Sequence, residues 1–202
     1  MNLPLSLTVQ SLANAMLAKS GLRSVFHLMI SIVMGALETV LRTPTDYILV
    51  IDRSGSTGGI VPGGSASILD TSKEACQAVL DLLDPADRVG VIAFDHKPDE
   101  VCHLTNADNH GKVHVGNAIW GITTGGSTAF LPALESAASL LGKEAGRKKV
   151  IVFFTDGEDG GPSPIQFAQG LSAQGVTLFV GGLGVSNTGE ILLEAMAGAN
   201  FK

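Results

Sequence analysis

Four short apolar runs recur in the chain after residue 45, with longer segments of mixed polarity between them. The runs are YILVI, RVGVIAF, KVIVFF and VTLFV, beginning at Tyr47, Arg88, Lys149 and Val176. Because they are apolar on both faces and rich in β-branched or aromatic residues, they are typical of interior strands of a parallel sheet. A further short run, EVCHL, follows the turn at FDHKPD. It predicts a hairpin at the edge of the sheet.

The segments between these runs carry helical patterns. Ser67 is followed three residues later by Asp70, a pattern resembling a capping box, and predicts the start of the first helix. The segments STAFLPALESAASLLGK, SPIQFAQGLSAQG and EILLEAMAG predict three more helices. Strands alternating with helices through right-handed crossovers give an α/β fold. We therefore predict a doubly wound, mostly parallel sheet with one short antiparallel edge strand.

Residues 1–44 have a different pattern and are predicted to form a separate helical segment before a domain at 45–202. Leu5, Val9, Leu12 and Met16 make an amphipathic stripe. The uncharged stretch from Ser24 to Leu37 is shorter than the roughly 20 residues that span a membrane. It is interpreted as a packed or partner-binding helix. A membrane anchor or an export signal is the alternative.

The charge of the chain restricts the class of partner. The net charge is −6. Residues 1–44 contain three basic residues and one acidic residue, a balance of +2, which leaves −8 for the remainder. An acidic main domain argues against a nucleic-acid partner and is compatible with cation binding. The two cysteines, Cys76 and Cys102, have no metal-ligand spacing and are expected to lie in the core.

Three oxygen-rich loops are expected to converge at one edge of the sheet. Asp52 ends the first apolar run and is followed by Ser54 and Ser56, Thr128 lies at the start of a predicted helix, and Asp156 ends another central run. In open α/β sheets, ligands bind beyond the carboxyl ends of the strands. Two carboxylates and three hydroxyls are hard oxygen donors. They suit Mg²⁺, with Mn²⁺ or Ca²⁺ as alternatives.

The same inventory predicts what such an ion would bind. Two carboxylates can at most neutralise a divalent cation, and hydroxyls add coordination without adding charge. The ion would therefore remain electrophilic, and a carboxylate from a partner protein could complete its coordination. Thr128 could also act as a helix N-cap. The neighbouring Glu158 and Asp159 are interpreted as solvated loop acids.

The motifs Asp52-x-Ser54-x-Ser56, Thr128 in GGST and Asp156 in TDG, taken in order, resemble the metal-ion-dependent adhesion site of von Willebrand factor type A domains and integrin inserted domains. The similarity extends over about residues 45–200. It implies that the residues at Ser54, Ser56 and Thr128 contact the cation directly, and that Asp52 and Asp156 bind it directly or through water. It also implies adhesion or assembly through a protein ligand that supplies an Asp or Glu carboxylate.

Two features depart from this family's pattern. The family continues beyond GANF with a further strand and helix, which this domain is expected to lack, so no ligand-induced movement of a last helix is inferred. The amino-terminal 44 residues are not required by the family. We hypothesise that they cover exposed sheet surface or mediate self-assembly.

Two other functions remain as alternatives. An intracellular adaptor for an AAA-type ATPase would keep the metal site, and the absence of a clear export signal favours this cytoplasmic location over a membrane-anchored or exported protein. A metal-dependent hydrolase or phosphatase is the second alternative. Aspartyl phosphatases need a second acid two residues after the first, where this chain has Ser54, and no G-x-S-x-G elbow surrounds that serine. An enzyme is therefore not expected.

Overall fold

The computed structural model describes residues 42–142 and 144–201. The predictions made for residues 1–41 lie outside the described residues. The described elements are, in order, β1 (Thr45–Asp52), α1 (Ile68–Leu82), β2 (Arg88–Phe94), β3 (Pro98–Asn106), α2 (Asn109–Trp120), α3 (Phe130–Leu141), β4 (Lys148–Thr155), α4 (Ile165–Gly170), β5 (Val176–Gly182) and α5 (Asn187–Ala197).

The five strands form one sheet in the order β3-β2-β1-β4-β5. The strands β2, β1, β4 and β5 are parallel neighbours, and β3 pairs with β2 in the antiparallel direction. The predicted α/β fold with one antiparallel edge strand is confirmed. Since β1 lies between β2 and β4, the carboxyl ends of three strands meet around Asp52.

One apolar layer packs on each face of the sheet, so the central strands are buried on both faces. Leu49 and Ile51 of β1 face a layer that includes residues of α1 and α2. Ile48 and Val50, which alternate with them along the strand, face the opposite layer, which includes residues of α3, α4 and α5. Cys76 and Cys102 are free and buried, as expected. Burial raises the pKa of the Cys76 thiol, which favours the protonated form.

A cluster of three phenylalanines joins the sheet to α3 beneath the carboxyl edge. The ring centroids of Phe94 and Phe153 are 5.0 Å apart, and Phe130, the first residue of α3, lies 5.8 Å from Phe94 and 5.2 Å from Phe153. All three side chains are fully buried. The contact fixes where α3 begins and therefore where the loop before it can lie.

Arginines neutralise the buried carboxylates at the opposite, amino-terminal edge of the sheet. Asp46 accepts hydrogen bonds from Arg88 and Arg147. Asp87 accepts one from Arg42 and one from the backbone N–H of Thr45. Burial alone would raise the pKa of Asp46, but the hydrogen bonds and charges of the two arginines lower it overall. These acids are paired inside the fold.

Three details differ from the sequence predictions. The segment from Ser163 to Gly175 is not one helix, because α4 ends at Gly170 and a separate 3₁₀ turn follows at Ser172–Gln174. Helix α2 was not predicted, since its glycines at 111 and 116 interrupt the apolar pattern. Strand β5 is an edge strand in the described sheet rather than an interior one, and its outer side carries a single parallel bridge, from Val180 to Phe201.

Within residues 42–142 and 144–201, no helix is long and apolar enough to cross a membrane.

The phenylalanine cluster gives a prediction about stability. We expect Phe153→Ala to lower the free energy of unfolding by about 3–5 kcal/mol, because it leaves a cavity among fully buried rings. Phe167→Ala is a suitable control, since Phe167 is only half-buried at the margin of the same layer. Urea denaturation of the full chain measures both. Equal losses would contradict a central role for the cluster.

Candidate metal centre

Asp52 is the last residue of β1, and both of its carboxylate oxygens are held by hydrogen bonds. Oδ1 accepts the backbone N–H of Ser54 at 2.8 Å, and Oδ2 accepts the hydroxyl of Thr155, the last residue of β4, at 2.6 Å. The side chain is 1% exposed. The orientation of this carboxylate is therefore set by the ends of two adjacent strands.

The Asp52 carboxylate is electrostatically unfavourable in the metal-free protein. Burial raises its pKa to about 6, and the nearby charge of Asp156 adds to the effect. The hydrogen bonds from Ser54 and Thr155 act in the opposite direction but do not outweigh burial.

A single 3₁₀ turn at Gly55–Gly58 brings Ser54 and Ser56 together directly after β1. Their hydroxyl oxygens are 3.2 Å apart, and the hydroxyl of Thr57 donates to the Ser54 carbonyl oxygen at 2.7 Å. Thr57 is buried, so the turn has an internal anchor. The two serine hydroxyls thus share one side of the turn.

The loop that carries Thr128 is attached to the ends of β1 and β2. Gly125 donates its backbone N–H to the carbonyl oxygen of Arg53 at 2.7 Å, and Ala129 donates to that of Asp95 at 2.9 Å. The carbonyl oxygen of Gly126 accepts the N–H of Gly55 at 3.1 Å. These bonds hold Thr128 near the serine turn.

Gly126 has a particular role in this attachment. Its φ is +37°, and a Cβ atom there would lie 2.9 Å from the Asp95 side chain. A larger residue would therefore push the Thr128 loop away from the end of β2.

Asp156 follows β4 and is 5% exposed. The next residue, Gly157, has φ +88° and donates its N–H to the Thr155 hydroxyl at 3.1 Å. A Cβ atom at Gly157 would lie 2.6 Å from Val185, so glycine allows the chain to turn sharply here. The Thr155 hydroxyl therefore connects the turn after Asp156 to the carboxylate of Asp52.

A cleft of about 620 Å³ opens at the carboxyl edge of the sheet, and three of the five predicted ligands line it. Ser54, Ser56 and Thr128 line it directly. Asp52 and Asp156 are buried next to lining residues, beside Ser54 and Gly157. Lining residues from the start of α5, namely Ser186, Thr188, Gly189 and Leu192, form another wall of the cleft.

The donor set fits a hard divalent cation. Among the described residues, no lysine or arginine forms an ion pair with Asp52 or Asp156, and Arg53, which directly follows Asp52, pairs with Asp95 and Asp99 instead. The described part of the chain also has no group of three or more His, Cys, Asp or Glu residues that could hold a metal. The predicted ligands, two carboxylates and three hydroxyls, are hard oxygen donors and suit Mg²⁺ better than softer ions. The carboxylates of Glu158 and Asp159 also line the cleft.

One sequence interpretation at this site was wrong and another was incomplete. Thr128 is not the N-cap of α3, since Ala129 occupies that position. Glu158 is exposed, as expected of a solvated loop acid, whereas Asp159 is half-buried and its Oδ1 accepts the N–H groups of Phe130 and Gly161. No sequence pattern indicates the contact with Phe130, because it joins loops 29 residues apart.

The family model for the von Willebrand factor type A domain matches residues 47–158, which is more than half of the chain and includes all five predicted ligands. The chain belongs to this family.

An uncharacterised protein of Synechocystis is 33% identical over 120 residues, which are 58% of this chain and 26% of that protein. The matched part therefore spans about a quarter of this curated relative.

Two solved structures illustrate the shared fold. BatB from Bacteroides thetaiotaomicron is 19% identical, with a TM-score of 0.66 over 78% of this chain and 88% of that one. Proximal thread matrix protein 1 from the mussel byssus, described with a zinc-occupied adhesion motif, is 19% identical, with a TM-score of 0.65 over 79% and 43%. At these identities the similarity shows the fold alone. Membership of the von Willebrand type A family supports a protein-interaction or adhesion module in general.

The buried Asp52 carboxylate gives a prediction for the metal-free domain. In chelator at pH 7.5, we expect Asp52→Asn to raise the free energy of unfolding by about 1–3 kcal/mol, because a buried charge with a raised pKa opposes folding.

The sign of the pH dependence follows from the same pKa. The folded protein takes up a proton at Asp52 near pH 6, whereas the unfolded chain does so near pH 3.8, so the cost of the charge is relieved as the pH falls between these values. The advantage of Asp52→Asn should therefore shrink between pH 7.5 and pH 4.5 in urea denaturation. A variant less stable than wild type at pH 7.5 would contradict this account.

Proposed function

We propose that this domain is a divalent-cation-dependent protein-binding module for assembly or adhesion, with Mg²⁺ held by Asp52, Ser54, Ser56, Thr128 and Asp156. The observation that carries the proposal is that Ser54, Ser56 and Thr128 line one cleft. The buried carboxylates of Asp52 and Asp156 lie next to lining residues and have no basic partner among the described residues. A buried pair of carboxylates is costly unless a cation compensates it. The proposed ion supplies that compensation.

Each group has a distinct part in this proposal. Asp52 and Asp156 supply the negative charge, and the hydrogen bonds from Ser54 and Thr155 keep the Asp52 carboxylate in one orientation. Ser54, Ser56 and Thr128 supply neutral oxygens on the open side of the cleft. A bound Mg²⁺ would provide an electrophilic centre for a carboxylate of the partner protein. Two carboxylates at most neutralise the charge of Mg²⁺, so the bound ion would still be able to accept a further carboxylate as a ligand.

The surroundings of the cleft favour a protein ligand over a small substrate. The cleft is open, and its walls include exposed backbone of several glycines and the half-buried side chain of Leu192. Among the described residues, no histidine, cysteine or lysine lines it, and the groups there that could act as a base or nucleophile are the carboxylates of Glu158 and Asp159 and the serine and threonine hydroxyls. The lining holds no histidine or lysine to activate these hydroxyls, which supports docking rather than catalysis.

A metal titration tests the first half of the proposal. We expect isothermal titration calorimetry of the full chain with MgCl₂ to show one saturable site. Binding should be lost in Asp52→Ala and weakened about tenfold or more in Thr128→Val, which removes the hydroxyl and keeps the shape. Thr177→Val is the matched control, since Thr177 is exposed on β5, away from the cleft. Equal affinities for wild type and Thr128→Val would exclude Thr128 as a ligand.

Affinity capture tests the second half. Partners retained from native extract by the immobilised full chain in MgCl₂ should be released by EDTA and should not be retained by Asp52→Ala. A partner found this way should lose binding when one of its own Asp or Glu residues is replaced by the amide. Retention that is insensitive to EDTA would contradict a metal-bridged interface, and phosphate release from a model ester that depends on Mg²⁺ and on Asp52 would favour the hydrolase alternative.

A further inference from the structure

We propose that Asp159 is a positioning residue for the metal centre: it caps helix α3 from the neighbouring loop and so leaves the Thr128 hydroxyl available to the cation. The inference rests on the proposed function and names a residue outside the predicted ligand set. Asp159 joins two loops at the cleft that are separated by 29 residues in the chain.

The start of α3 lacks a cap of its own. Its N-cap residue, Ala129, has no side-chain acceptor, so the first amides of the helix need a partner from elsewhere. Asp159 provides one, since its Oδ1 accepts the N–H of Phe130 at 3.1 Å. The same oxygen accepts the N–H of Gly161 at 3.0 Å, which fixes the carboxylate in place. A carboxylate is also favourable next to the positive end of the helix dipole.

The other long helices of the described chain are capped differently. Helices α1, α2 and α5 each have an N-cap residue whose own side chain accepts a backbone N–H three residues on: Ser67, Asp108 and Ser186. Helix α3 is therefore the exception among the described helices of eight or more residues. It is also the helix whose preceding loop carries a proposed ligand.

This arrangement has a consequence for Thr128. A threonine at an N-cap position uses its hydroxyl to accept an amide of the first helical turn. Here, among the described residues, the Thr128 hydroxyl makes no hydrogen bond, and the residue lines the cleft. Because Asp159 satisfies the amide of Phe130, the hydroxyl of Thr128 is not required for capping.

The Asp159 loop and the Thr128 loop are also in close backbone contact. Gly160 donates its N–H to the carbonyl oxygen of Thr128 at 3.1 Å. A Cβ atom at Gly161 would lie 3.0 Å from the Cβ of Ala129, so the two segments approach as closely as a glycine allows. Asp156 lies three residues before Asp159 on this same loop. The contact thus holds two proposed ligands, Thr128 and Asp156, in a fixed relative position before a cation binds.

The test compares three variants of the full chain by calorimetric titration with MgCl₂ and by thermal unfolding in EDTA. Asp159→Ala removes the acceptor, and Asp159→Asn keeps an acceptor oxygen but removes the charge. Asp108→Ala removes a carboxylate cap from α2, which follows the antiparallel strand β3 and so begins at the opposite edge of the sheet.

We expect Asp159→Ala to weaken Mg²⁺ binding about tenfold, as for other residues that orient metal ligands. Asp159→Asn should weaken it no more than about threefold. Asp108→Ala should lower the melting temperature of the metal-free protein by roughly 2–4 °C, as Asp159→Ala should, but should leave the Mg²⁺ affinity unchanged.

Three other results would each contradict the proposal. If wild type shows no saturable Mg²⁺ site, the proposed function fails and this inference fails with it. If wild type binds Mg²⁺ and Asp159→Ala binds it equally well, only the positioning role is refuted. An Asp159→Asn variant as weak as Asp159→Ala would also refute it, because the loss would then reflect charge rather than capping.

Hydrogen exchange of the wild-type protein provides a second measurement if Asp159→Ala does not fold. The proposal predicts that the Phe130 and Gly160 amides are both protected from exchange in EDTA, since both belong to a contact between the two loops that forms before a cation binds. Unprotected exchange of these two amides in EDTA would overturn the proposal.

Discussion

The hydrogen bond from the Thr155 hydroxyl to the Asp52 carboxylate is the interaction on which the candidate site depends. It joins the last residues of β1 and β4, two central strands that run in parallel. Parallel pairing of neighbouring strands brings their carboxyl ends to one edge, and this bond fixes the distance between them there. Without it, Asp52 and Asp156 would still end adjacent strands, but the orientation of the first carboxylate relative to the second would not be determined.

The buried acids at the two edges of the sheet differ in how their negative charge is compensated. Asp46 and Asp87, at the amino-terminal edge, are paired with arginines, so their negative charge is compensated inside the fold. Asp52, at the carboxyl-terminal edge, is as deeply buried, but among the described residues its hydrogen bonds come from hydroxyls and a backbone amide rather than from a basic side chain, and its pKa is raised to about 6. The fold therefore tolerates an uncompensated charge at the edge where α/β sheets bind ligands. A cation that binds there would compensate this charge and so stabilise the folded protein relative to its metal-free form.

The sequence predicted the sheet and the candidate ligands because both leave strong local signals. Apolar runs such as YILVI identify central strands without knowledge of their neighbours, and Asp52 with its two serines follows one such run directly. Helix α2 was missed because glycines weaken its pattern, and β5 was placed inside the sheet because edge position depends on which strands pair. The contact from Asp159 to Phe130 could not be predicted, since it depends on the approach of two loops that only the folded chain brings together.

A crystal structure of the full chain grown with MnCl₂ tests the central claim most directly, because Mn²⁺ gives an anomalous signal and accepts the same oxygen ligands as Mg²⁺. The account predicts one strong anomalous peak in the cleft, within coordination distance of oxygens from Ser54, Ser56 and Thr128, with Asp52 and Asp156 bound directly or through water. Well-ordered loops with no peak at this position, or a peak held by other side chains, would contradict it.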